Sequence, residues 1–393
     1  MDPMIAVVAF SATLLVAVLL SAVAHRSVLS TAVVFLAAGF VLGDGVFGVV
    51  SVRPEDPAVA TFAELALFSI LFSDGMKVTA KDLRETRHLP LRALMVGLPL
   101  TLALTALLAH FVVGIPWANA FLLGAALSPT DPVFAATLVG RSEVPYRLRH
   151  LLNVESGLND GLALPVVVVL LAVVAGGTIH TVRLAVELSG GVALGFGVSW
   201  VAVHLERLKP FAATTLYEPL NAFAIGLLVL GIASLTGANE FLAAFAAGVT
   251  VATMSPAIHE AFHVFGELIA ELLKLAALLL FGALISPSFL AEISVRGYVF
   301  AALALLVARP IALGVALIGA RLTRREWVAA AWFGPKGFAS VVYGLLILES
   351  GIGRRQELFH LIAIVIVLSI VAHASTDVPV AHWFRQEHPD AEG

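Results

Sequence analysis

The 393 residues are 60% hydrophobic and 13% charged, with a formal net charge of −4 and a mean hydropathy of +1.00. Soluble domains carry roughly 25% charged residues, so the composition excludes one and points to an all-α polytopic membrane protein. The absence of cysteine excludes disulfides, thiolate chemistry and cysteine metal sites.

A spanning helix needs about 20 mostly apolar residues, and the chain reads as about thirteen such stretches in series. They run 4–24, 28–46, 57–75, 90–113, 117–139, 146–175, 182–204, 217–236, 239–254, 261–285, 297–320, 327–349 and 356–377. Together they are expected to form one transmembrane domain over 1–377, because no segment between them is long enough to bury a core of its own. The remainder, 378–393, reads as a short, polar, solvated tail. The first stretch closes on Ala22-Val23-Ala24, which resembles a signal-peptidase site, but it lacks a basic n-region and is read as a retained helix.

Loops after every odd-numbered stretch up to the eleventh, with the tail, hold fifteen Lys and Arg residues, whereas the opposite side holds Arg53, Arg183, Arg296, Arg354 and Arg355. The positive-inside rule then expects a cell (inner) membrane protein with the N-terminus outside and the C-terminus cytoplasmic. Lys274, Arg309 and Lys336 fall within spans and call for partners.

An internal repeat organises the chain. FLAAGF begins at Phe35 and FLAAFAAG at Phe241; ELALFSILF begins at Glu64 and ELLKLAALLLF at Glu271; Pro129 is answered by Pro335. The offsets are 206, 207 and 206 residues. The first six stretches (4–175) thus match the last six (217–377), with 182–204 as a linker helix. An odd number of spans between the two starts makes these inverted repeats, an architecture of secondary transporters.

The paired prolines lie midway along the fifth and twelfth stretches, as Pro129 and Pro132 in SPTDP and as Pro335 between Gly334 and Gly337 in FGPKG. Proline lacks the donor a continuous helix needs, so both spans are expected to break and cross. Irregular backbone at membrane depth survives where it lines a cavity or is buried in protein. The half-helix ends carry partial charges that Asp131 and Lys336 could neutralise.

Next to these breaks in sequence stands NVESGLND, residues 153–160. On a helix, Glu155 shares a face with Asn159 and Ser156 shares one with Asp160. An isolated carboxylate in hydrocarbon is costly, and burial favours its protonated form. A small cation could instead be held by ionised Asp160 with oxygens from Ser156 and Thr130. Proton and cation would then compete for one site.

LFSDG at 71–75, SPTDP at 128–132, VESGLNDG at 154–161, ARP at 308–310 and FGPKG at 333–337 together resemble the monovalent cation:proton antiporter family, which includes NhaP-type and animal sodium/proton exchangers. The resemblance covers essentially the whole chain. It implies a homodimer of thirteen-helix protomers, each with an interface domain and a six-helix core that moves with the ion. It implies Asp160 as the carrier, with Thr130, Ser156 and Asp74 contributing oxygens or water contacts, and a structural ion pair between Glu155 and Arg309. It implies exchange of Na+, or of Li+ or K+, for H+, and Asn159 before Asp160 matches the electroneutral branch. Many relatives carry Arg where this chain has Lys336, and lysine lacks the forked geometry. The expected partners are the two ions, the bilayer and a second copy of the chain, with no cofactor and no nucleic acid.

Plainer readings stand beside these. Asp74 could be an interfacial acid near the basic loop that follows it, and Glu64, Glu240, Glu267 and Glu271 could pair locally or line a funnel. His25, His88, His150, His180, His259, His360 and His382 lie near span ends and read as interfacial rather than as a pH sensor. A cation channel would also gather polar groups at mid-membrane, but an acid and a base on paired broken helices suit alternating access better. An intramembrane aspartyl protease would leave Arg309 and Lys336 without a role.

Overall fold

The computed structural model describes residues 3–24, 31–50, 57–77, 89–131, 144–176, 181–208, 214 and 217–385. Every regular element among them is helical. The helices are α1 (Pro3–Ala24), α2 (Thr31–Leu42), α3 (Pro57–Met76), α4 (Leu89–Val113), α5 (Trp117–Ala126), α6 (Tyr146–Val174), α7 (Thr181–Glu206) and α8 (Glu218–Thr236). They continue as α9 (Glu240–Met254), α10 (Pro256–Ala283), the short α11 (Pro287–Glu292), α12 (Val295–Ala316), α13 (Arg324–Trp332), α14 (Phe338–Glu349) and α15 (Arg355–Arg385).

Among the described residues, six helices are long and apolar enough to cross a membrane, namely α4, α6, α7, α8, α12 and α15. Both stretches expected to break are interrupted at the expected place: α5 stops at Ala126, and five residues of irregular chain part α13 from α14. Pro132, the rest of the fifth stretch to 139 and Arg141 lie outside the described residues, as do Arg26, Lys81, Arg84, Arg87, Lys209, His25, His88 and His180.

Local sequence explains several features. α9 and α10 meet at Ser255 with a bend of 118°. Pro256 opens α10, since its missing N–H is one a first turn leaves unbonded anyway, and this carries the helix start back from the expected 261. In α12 the backbone swells into a π-helix over Ala304–Ala308. Pro310 follows two residues later and cannot donate to the preceding turn, so the ladder re-forms around it and Arg309 emerges directly after the swelling. The same order recurs in α4, where a π segment over Ala93–Gly97 precedes Pro99.

One expectation fails at the C-terminus. Residues 378–385 are not a free polar tail, because α15 continues to Arg385. Ala381 and Phe384 are buried in an apolar cluster with Leu148, Leu152 and Phe333, and the Arg325 guanidinium lies 5.2 Å above the Trp383 ring. Apolar burial outweighs the polar composition of the segment.

The chain divides into two compact units: Met1–Ala63, His88–Asn159 and Leu275–Gly393 form one, and Glu64–Arg87 with Asp160–Lys274 form the other. In the first unit α2 and α10 approach so closely that a Cβ on Gly39 would stand 2.1 Å from the Leu279 carbonyl oxygen, and one on Gly282 2.3 Å from that of Leu36. In the second, α3 and α9 meet in the same way: a Cβ on Gly75 would stand 2.5 Å from the Phe245 oxygen, and one on Gly248 2.3 Å from that of Phe72. Small residues permit such backbone contact where hydrocarbon gives helices no hydrophobic reason to associate.

Candidate functional site

The site is built on the two interruptions. After α5 the chain runs irregularly through Leu127–Asp131, and after α13 through Phe333–Gly337. The two segments cross in contact. Asp131 N–H donates to the Pro335 carbonyl at 2.9 Å, and Lys336 Nζ lies 3.5 Å from the Pro129 oxygen. Asp131 Oδ2 accepts from the Phe338 N–H at 3.3 Å, which sets a carboxylate against the N-terminal end of α14. Gly337 is required by this crossing, since a Cβ there would fall 1.9 Å from that of Asp131. Thr130, Asp131 and Lys336 are all buried.

Residues 153–160 lie within α6, and the four polar residues expected to matter, Glu155, Ser156, Asn159 and Asp160, are buried on it. Thr130 Oγ1 accepts from Asn159 Nδ2 at 2.6 Å and lies 3.2 Å from Ser156 Oγ. Because the Thr130 oxygen accepts from the amide, its own hydrogen is available to Ser156. Asn159 Oδ1 is buried without a hydrogen-bond partner among the described residues. Asp160 follows immediately on the same helix.

Glu155 turns to Arg309. Arg309 Nη1 donates to Oε1 at 2.8 Å and Nη2 to Oε2 at 3.1 Å, with both side chains 5% exposed. Nη2 also reaches the Phe333 carbonyl at 3.1 Å, one of the acceptors that the end of α13 leaves without a helical donor. The guanidinium fills the space where Gly334 has no side chain: a Cβ there would be 1.7 Å from Arg309 Nε. Gly334 therefore serves the ion pair as well as the interruption.

Asp74 is buried in the second unit, where Lys77 Nζ lies 3.2 Å from its Oδ1. Sequence reading passed over other groups. Ser369 Oγ accepts from the Lys336 N–H at 2.7 Å, and His373 Nε2 is 2.9 Å from the Trp332 carbonyl. Their only sequence signal is polar spacing within an apolar stretch. Arg147, read as a loop cation, forms a two-pronged ion pair with Glu326, its Nε 2.6 Å from Oε1. No spacing rule links positions 179 residues apart.

Residues 11–383 match the family described as "Sodium/hydrogen exchanger, transmembrane". The chain belongs to that family. A multi-pass sodium/hydrogen exchanger fold also appears in the structure of the sodium proton antiporter MjNhaP1 from Methanocaldococcus jannaschii, which is 18% identical, with a TM-score of 0.79 over 97% of this chain and 99% of that one. Among sequences, the chain is 27% identical over 369 residues to the K(+)/H(+) antiporter NhaP of Alkalimonas amylolytica, covering 92% of this chain and 63% of the relative. It is 24% identical over 384 residues to the K(+)/H(+) antiporter NhaP2 of Shewanella baltica strain OS223, covering 95% of this chain and 66% of the relative. The chain thus spans a little under two thirds of the length of either relative.

Proposed function

We propose that the chain is a secondary active antiporter, not an enzyme, which exchanges a monovalent cation for H+ by alternating access, with proton and cation competing at Asp160. The observation that carries this reading is the buried oxygen cluster at the first crossing segment: Thr130 and Ser156 hydroxyls 3.2 Å apart, with Asn159 Oδ1, which has no hydrogen-bond partner among the described residues, one residue before Asp160. A buried acceptor without a donor carries a desolvation cost that a cation would relieve. Protonation of Asp160 removes the charge that holds the cation, and deprotonation restores it. Glu155 and Arg309 hold α6 and α12 in register, while Asp131 and Lys336 offset the half-helix ends.

The organisation proposed with this activity is a homodimer in the cell membrane, C-terminus cytoplasmic, with inverted repeats of about thirteen spans. Support for the repeats comes from the glycine contacts. Under the repeat, the second and tenth stretches correspond to the ninth and third, so the α2–α10 and α3–α9 approaches are exchanged, with Gly282 matching Gly75 at 207 residues and Gly39 matching Phe245, whose oxygen faces Gly75, at 206. Sodium and potassium stand level as the cation. Oxygen ligands serve both, the two sequence relatives bear potassium names and the archaeal structure a sodium one.

The test uses inside-out vesicles with a trapped pH dye, pulsed with sodium, lithium or potassium salt. At least one ion should drive proton movement, and Asp160→Asn should abolish it in protein that still purifies folded. Silence toward all three ions in the native protein would overturn antiport. Normal exchange by the variant would remove Asp160 from its role.

A further inference from the structure

Ser369, His373 and Thr376 recur at spacings of four and three along α15, which places them on one face of that helix. That face meets the end of α13 and the interruption after it. Trp332 is the last residue of α13, so its carbonyl lacks the donor of a continuing helix. It receives Gly334 N–H at 2.9 Å and faces His373 Nε2 at 2.9 Å. Lys336 N–H, inside the interruption, donates to Ser369 Oγ at 2.7 Å, and that oxygen lies 3.2 Å from His373 Nδ1. The Trp332 indole donates to Thr376 Oγ1 at 2.8 Å, and its ring stacks on His373 with centroids 4.9 Å apart.

His373 Nδ1 also lies 2.7 Å from the Ser369 main-chain oxygen, so each ring nitrogen faces a carbonyl and an N–H on either one has an acceptor. Ser369 Oγ accepts from Lys336 N–H and lies against the same ring nitrogen. One chain of polar contacts thus joins the last carbonyl of α13 to a donor inside the interruption. Ser369, His373 and Lys336 are buried, so no water replaces a missing link without cost.

The anchored segment carries the other crossing segment with it. Pro335 accepts from Asp131 N–H and Lys336 Nζ approaches the Pro129 carbonyl, at 2.9 and 3.5 Å, and Thr130 lies between these two attachment points. The place of the Thr130 hydroxyl against Ser156 and Asn159 therefore depends on where residues 335 and 336 are held. We propose that Ser369 and His373 are positioning residues that fix the Thr130 oxygen for the cation through the interrupted span, an inference that rests on the antiport reading above.

The test measures the half-saturating cation concentration and the relative response to sodium, lithium and potassium in vesicles, normalised to folded protein. Ser369→Ala and His373→Leu should each raise half-saturation about five- to tenfold, the weight of one net hydrogen bond, and shift the ion ratio. His373→Gln, whose amide can donate to the Trp332 carbonyl, should recover much of the affinity. The double variant Ser369→Ala/His373→Leu should be little worse than His373→Leu, because both break one chain. If His373→Leu does not fold, Ser369→Ala carries the test. A native protein that exchanges no ion takes down the antiport reading and this inference together. Native exchange, with half-saturation and ion ratio unmoved in Ser369→Ala and in whichever His373 variants fold, overturns the inference alone, whatever those variants lose in thermal stability.

Discussion

Arg309 enters the core with two carboxylate bonds, one carbonyl bond and a glycine shaped around it. Burying both charges costs several kcal/mol each, which their mutual attraction offsets only while geometry holds. Removing one leaves the other exposed to the full cost. Glu155→Leu or Arg309→Met alone should therefore destabilise by roughly 3–5 kcal/mol, and the double variant by less than either single. Thermal unfolding in detergent measures this, and a double variant that loses the sum of the two singles would show that the residues act independently. Family resemblance marked the two residues as a pair. Nothing local in the sequence could show that Gly334 makes room for the guanidinium, since a glycine beside a proline reads first as a helix breaker.

At the scale of elements, proline placement was legible and its consequences were only half so. Pro129 and Pro335 announce interruptions because a missing N–H acts within one helical turn. The π segment ahead of Pro310 arises equally locally, yet sequence reading took that stretch as a plain span. The link between the start of α13 and the start of α6 was invisible. There Thr323 and Glu326 cap α13 reciprocally, and Arg147 closes on Glu326 from α6. Burial alone would raise the Glu326 carboxyl, but hydrogen bonds from Arg147 and Thr323 outweigh it and hold the group below its ordinary value of 4.5. Glu326 precedes the stretch expected to enter the membrane at 327. A depressed carboxyl adds stability that is present above its unfolded value and lost as pH falls through its folded one. The difference in melting temperature between native protein and Glu326→Gln should accordingly be full at neutral pH and shrink below about 4.5. A difference that stays constant on acidification would mean that the ionised carboxylate contributes nothing there.

For the whole molecule, the halves of the sequence are not the units of the structure. The repeat expected from the sequence would divide the chain near 175 and 217, whereas each compact unit takes residues from both sides of that division. The expectation of one domain came from the lack of soluble segments, which says nothing about how helices group. Charge balance is a property of the whole transport cycle. Asn159 cannot release a second proton, and Asp131 Oδ2 is held by the Phe338 N–H, so under the proposed antiport one cation for one proton should move no net charge. A potential of 100 mV acts on a moved charge with about 2.3 kcal/mol, close to fiftyfold in an equilibrium. An imposed potential of that size should therefore leave the exchange rate in well-buffered vesicles within about twofold. A steep voltage dependence would bring Asp131 or Lys336 into the cycle.

Sequence by itself determined the class of molecule, the places of most helices, the two interruptions and the polar face of residues 153–160. Each follows from composition, hydrophobic run length or a backbone restriction that acts over a few residues. The tertiary structure decided what those residues touch: Thr130 with Asn159, Gly337 with Asp131, Arg147 with Glu326, and Ser369 and His373 with the interruption after α13. It also decided that the chain stays helical from 378 to Arg385. These outcomes depend on which helices come to lie together, and packing between segments far apart in the chain leaves no periodic or local mark in either segment.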